Sequence, residues 1–84
     1  MRVRIYFGKD DKKMDITCER MIDQGNVGGN GRRWFTLEGV TESKVDTTKK
    51  SGIVGYRIDD EEIRKTRMIT VNPLTNNAID LYIE

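Results

Sequence analysis

Arg2-Val3-Arg4-Ile5-Tyr6-Phe7 decides the fold, because Val3, Ile5 and Phe7 alternate with Arg2, Arg4 and Tyr6. A period of two places successive side chains on opposite faces of a strand. One face is apolar and turns inward; the other is basic and aromatic and turns outward. The polar run Gly8 to Lys13 reads as a turn, after which Met14, Ile16 and Cys18 alternate with Asp15, Thr17 and Glu19. The two segments predict an antiparallel hairpin in which Asp15 and Glu19 face Arg2 and Arg4.

Composition carries the same message along the whole chain. Ile, Val and Thr supply 23 of the 84 residues, whereas Ala and Leu supply only 4. Branched side chains lose rotamer freedom against a helical turn but fit a pleated surface, so helix is expected to be scarce. Further strands are expected over Arg32 to Val40 and over Ile53 to Ile58, with Val54, Tyr56 and Ile58 on one face. A second hairpin joins Met68 to Asn72 with Ala78 to Ile83 through a turn of about five residues at Pro73 to Asn77. The stretch 24–31, with four glycines in eight residues, is expected to be a flexible loop. Residues 41–52 suit a long connection or an exposed edge hairpin, and 59–67 either a single helical turn capped by Asp59 or Asp60 or a tight charged β-turn. The expected fold is all-β, or β-dominated α+β. It is one domain over 1–84, built as a small antiparallel meander, an open barrel or a sandwich of five to six strands with at most one short helix.

Charge excludes several functions. With 15 Lys and Arg against 14 Asp and Glu, the net charge is +1, far from a polycation or an acidic nucleic-acid mimic. Residues 1–50 carry +3 and 51–84 carry −2, a mild asymmetry compatible with a basic face that gathers loop lysines and N-terminal arginines. Apolar runs are too short for a bilayer span or an export signal. A single Cys in so small a chain points to a reducing, cytoplasmic setting without a disulfide framework.

Catalysis has little to draw on. Histidine is absent, so Cys18 has no imidazole partner and reads as a small core residue. The run Asp59 to Glu62 lacks the ligand spacing that converges on one cation, and no cofactor or metal is called for. A GxxG spacing occurs twice, in Gly25-Asn26-Val27-Gly28 and Gly28-Gly29-Asn30-Gly31, but its flanks read as strands and no Lys-Ser or Lys-Thr pair follows to make a phosphate loop. The most suggestive segment is Gly25 to Phe35, where glycines precede Arg32-Arg33-Trp34-Phe35. Adjacent strand residues point to opposite faces, so at least one of Trp34 and Phe35 lies outside a one-sided core. The expected function is non-enzymatic protein binding, of a regulatory or inhibitory kind, through Arg32, Arg33, Trp34, Phe35 and Tyr6. Nucleic-acid binding, adding Lys49 and Lys50, is the alternative, and homo-oligomerisation through open sheet edges is a further one.

Overall fold

The computed structural model describes all residues except 9–11, 29–30, 49–51 and 76. Nine strands form in the described residues: β1 (Arg2–Phe7), β2 (Lys12–Thr17), β3 (Arg20–Val27), β4 (Arg32–Glu38), β5 (Glu42–Asp46), β6 (Gly55–Ile58), β7 (Arg64–Lys65), β8 (Ile69–Thr75) and β9 (Ala78–Ile83). They pair in two antiparallel sheets, of order β5-β2-β1-β6-β7 and β3-β4-β9-β8. The sheets do not close into a barrel, and the architecture is a two-layer sandwich. The chain changes sheet at three short corners, 18–19, 39–41 and 66–68. Backbone hydrogen bonds such as Glu19 N to Glu38 O at 2.9 Å and Thr41 N to Thr17 O at 2.9 Å hold two of them.

Alternation fills the space between the layers. Val3, Ile5 and Ile16 of the first sheet, with Cys18 at the first corner, meet Leu37, Ile79, Leu81 and Ile83 of the second, and Tyr56 joins the same cluster. Every one of these is at most 7% exposed. Burial also pushes the Cys18 thiol pKa up, which keeps it uncharged and unreactive.

The expected hairpins form, with Arg4 opposite Asp15 and Ile69 opposite Ile83. The Arg4 guanidinium donates to Asp15 at 2.6 Å, which raises the Arg4 pKa against the opposing effect of burial. Arg2, however, faces Thr17 and not Glu19, because β2 ends at Thr17 and Glu19 has already turned the corner into the other sheet.

Three other expectations are corrected, and one open alternative is decided. Nine strands replace five to six: β5 and β7 are too short and too charged to show an apolar face, and β3 runs into the glycine-rich stretch that reads as a loop. The stretch 24–31 is not a loop throughout: β3 runs to Val27, where it pairs with Arg32 at the start of β4. A bulge between Asp23 and Gly25 absorbs the irregularity, with Gly25 at φ +93°, a conformation that a side chain resists. The segment 59–67 makes a tight turn closed by Glu61 N to Ile58 O at 3.0 Å, and Arg64–Lys65 then pairs back onto β6, so the β-turn reading holds and the helical one does not. Finally, β8 continues through Pro73 to Thr75 with a second bulge, which shortens the turn expected there. Pro73 is tolerated because β8 is an edge strand with one side unpaired.

The first bulge yields a pH prediction. The Asp23 carboxylate accepts from the Gly25 N–H at 2.8 Å and pairs with Arg33, and these contacts hold its pKa below the usual carboxylate value. A depressed native pKa contributes stability above the unfolded value of about 3.9 that is lost as pH falls through the lower native value. Asp23→Asn is therefore expected to melt below the wild type at pH 7, with the gap closing near a pH of about 2. Thermal unfolding followed by circular dichroism at both pH values checks this; an equal gap at both would remove the charge from the explanation.

Candidate functional site

On β4, Phe35 and Leu37 point into the core, so Arg32, Trp34 and Thr36 point outward from the second sheet. On β9, Ile79, Leu81 and Ile83 point inward, and Asp80 and Tyr82 outward. The register sets Trp34 directly opposite Tyr82, and their rings lie with centroids 6.1 Å apart and planes within 14°. The Arg32 guanidinium carbon sits 5.3 Å from the centre of the Tyr82 ring, a cation–π contact that fixes one end of the pair. On the other flank, Gly25 stands opposite Trp34, and a Cβ added there meets nothing within 4 Å. A shallow opening therefore borders Trp34. Its indole Nε1 and the Arg32 Nε are both buried in the cluster with no acceptor among the described residues.

The next row stiffens the platform. Gln24 Nε2 donates to Thr36 Oγ1 at 3.1 Å, and Thr36 Oγ1 donates to Asp80 at 2.7 Å. Asp80 is 4% exposed although it lies on the outer side, so this relay ties three strands together beside the aromatic pair. Such a face offers planar apolar surface, donors and one guanidinium.

The expected site residues separate. Arg32 and Trp34 join the cluster. Phe35 does not: it packs against the core, 6.5 Å from the Tyr56 ring. Adjacent Arg33 lies over the Phe35 ring and pairs with Asp23, at the rim of the sandwich and away from Trp34's side of the sheet. Tyr6 is corrected most sharply. It lies on the other sheet and is 0% exposed, even though its position in β1 is on the outward row. Its neighbours along and across the sheet are Arg4 and Lys13, whose side chains are themselves only 19% and 15% exposed. Side chains of this kind bury their aliphatic stems along apolar surface while the charged end stays paired, which is the physical route to a buried ring on the outward row. Lys49 and Lys50 fall outside the described residues.

Tyr82 and Asp80 were not singled out from the sequence. The alternation of Ile79, Leu81 and Ile83 already turns Tyr82 outward; what it does not reveal is that β9 pairs with β4 and so delivers Tyr82 to Trp34.

Two surface depressions lie elsewhere. One of about 260 Å³ is lined by Met1, Arg2, Thr17, Asp59 and Asp60, and one of about 310 Å³ by Glu19, Arg20, Glu38, Gly39, Asn77 and Ala78. Each mixes charges of both signs at the small end of ligand-pocket sizes. Among the described residues, no group of three His, Cys, Asp or Glu gathers around a point that a metal ion could occupy, and no helix is long and apolar enough to cross a membrane. Comparison with known proteins finds no matching family model, no similar curated protein and no similar solved structure.

Proposed function

We propose that this chain is a non-enzymatic binding module that engages a protein partner, in a regulatory or inhibitory role, through the outer face of the β3-β4-β9-β8 sheet. The observation that carries the reading is the Trp34–Tyr82 pair capped by Arg32. Tyr, Trp and Arg dominate interface hot spots because they bury large area at low entropic cost and retain a polar handle. The opening beside Gly25 gives an entering side chain access to the indole edge, and the unpartnered Nε1–H and Nε–H offer donors to backbone carbonyls after small side-chain rotations.

Protein is favoured over nucleic acid by charge. Arg33 is already committed to Asp23, and Asp80 shares the face with Arg32. Phosphate binding depends on several cations free to release counterions. The buried lone thiol of Cys18 is in keeping with work in the cytoplasm, a reducing compartment.

The test is selection of a displayed random-peptide library on the immobilised protein, followed by titration of a selected peptide against the fluorescence of Trp34, the only tryptophan. Trp34→Ala and Tyr82→Ala, each binding followed by competition, are expected to weaken the peptide by roughly 30-fold or more while melting within a few degrees of wild type. Peptides held equally well by both variants would place the working surface elsewhere. Salt-steep binding of labelled oligonucleotides, lost in Arg32→Glu, would replace the protein reading with the nucleic-acid one.

A further inference from the structure

An antiparallel sandwich with two open sheets has four edge strands, and here three of them are blunted. β7 has two residues. β8 carries Pro73, which has no N–H to donate, and a register shift between Pro73 and Thr75. β3 is bent by its bulge between Asp23 and Gly25. Short length, proline, bulges and charged side chains are the devices by which sheet edges avoid pairing with other chains. β5 has no proline and no bulge; its only such device beyond modest length is charge, at Glu42, Lys44 and Asp46, and charges of both signs repel a second copy in some registers and attract it in others. Its five residues pair with β2 in unbroken register from Thr17–Glu42 to Lys13–Asp46, and no described strand covers its other side. Val45, one residue from its end, is 64% exposed, the most open of the large apolar side chains among the described residues.

The charges on this strand are self-complementary about two residues: an axis at Ser43 sets each Glu42 opposite the copy's Lys44 but leaves Val45 opposite Thr41, whereas an axis at Val45 also joins the two exposed valines. Around a twofold axis at Val45, an antiparallel copy sets Val45 on Val45 and each Lys44 opposite the copy's Asp46, giving two ion pairs. Shifting the axis to Lys44 puts ammonium on ammonium and Glu42 opposite Asp46, and like charges directly opposite are destabilising. Lys44 is free to change partner: its side chain is 72% exposed and bonds only along its own strand, to Glu42 at 2.8 Å. Asp46 is 45% exposed and meets Lys13 at 3.7 Å.

We propose that the chain self-associates as a twofold dimer by antiparallel β5–β5 pairing centred on Val45, joining the two five-stranded sheets into one of ten. This is independent of the Trp34–Tyr82 face, which belongs to the other sheet and stays open in the dimer. A five-residue edge buries well under the roughly 1,200 Å² of a standard interface, so association is weak and reversible.

Sedimentation equilibrium of the full chain between about 10 µM and about 1 mM protomer is expected to show the mass rising from 9.7 kDa toward twice that value. K44D and D46K each place like charges across the axis and are expected to weaken association by roughly tenfold or more, whereas K44D/D46K restores it by exchanging the signs. V45K, at an exposed position that the fold does not need, sets two ammonium groups on the axis and abolishes association. Circular dichroism melts confirm that each variant is folded. A monomer at every concentration overturns the proposal, and so does a dimer unaffected by V45K or not restored by the double exchange.

Discussion

Leu81→Ala is expected to lower the free energy of unfolding by about 3 kcal/mol, within the usual cost of deleting a buried leucine. Leu81 is 0% exposed at the middle of β9, with Phe35 of β4 on one side and Val71 of β8 on the other. Its inner face belongs to the cluster shared with Val3, Ile5 and Ile16 of the facing sheet. These neighbours are branched or aromatic and held in place by their own strands, so the lost transfer energy is joined by the cost of a cavity. A domain of this size holds roughly 4 to 13 kcal/mol in all, and a loss near 3 kcal/mol lowers the melting temperature by about 12 to 24 °C. Urea unfolding with an unchanged m-value measures it, and Leu81→Met, which conserves volume, is expected to cost less than about 1.5 kcal/mol. Similar losses for both variants would mean that the site is not closely packed.

Gly55→Val is expected to be of similar size for a different reason. A Cβ on Gly55 would lie 2.6 Å from the Arg64 carbonyl oxygen and 3.2 Å from Lys65 Cα, and these are backbone atoms of the strand paired with it. Backbone cannot rotate aside, so β7 must leave β6 or the pair must shear. Both register pairs, Gly55–Lys65 and Tyr56–Arg64, are then lost, along with the Arg64 contact over the Tyr56 ring at 5.7 Å. Overpacking of this kind costs about 1 to 3 kcal/mol or more. Native-state hydrogen exchange is expected to show the amides of 64–66 losing protection first, Thr66 N among them, since it donates to Val54 O at 2.9 Å. A wild-type melting temperature in Gly55→Ala would mean that β7 is not held so closely.

Strand alternation was legible wherever a strand has one apolar side. Val3-Ile5, Ile69-Val71 and Ile79-Leu81-Ile83 each declare their inward row, and both hairpins follow from the turns between them. Polar edge strands carry no such row: Glu42 to Asp46 displays a single apolar residue, and Arg64–Lys65 none. Glycine in 24–31 suggested a loop because glycine is costly inside a strand, yet here one glycine supplies the positive φ of a bulge while the ladder continues on either side. For the site, the rule that neighbours point apart established that Trp34 and Phe35 divide between two faces. Which one is outward depends on whether Leu37 is core, and the packing of the whole sheet decides that. Tyr6 shows the limit of periodicity, since an outward position does not by itself make a side chain exposed. The meeting of Trp34 with Tyr82 rests on a pairing of strands far apart in the chain, which no local pattern encodes.

That same layout governs how the molecule is assembled from an unfolded chain. β1 needs β6, and β4 needs β9, so each sheet has a central seam between segments distant in sequence. The hairpins β1–β2, β3–β4 and β8–β9 can close early, but the apolar inner face of each stays open until the seams join and the two sheets pack on one another. Closing long loops before any contact repays them is the slow step for such topologies, which places folding in the millisecond-to-second range typical of all-β sandwiches. During that interval the ladder edges that lie at the centre of the finished sheets are open to any neighbouring chain, so crowding during synthesis is the condition under which this protein is most exposed to mispairing.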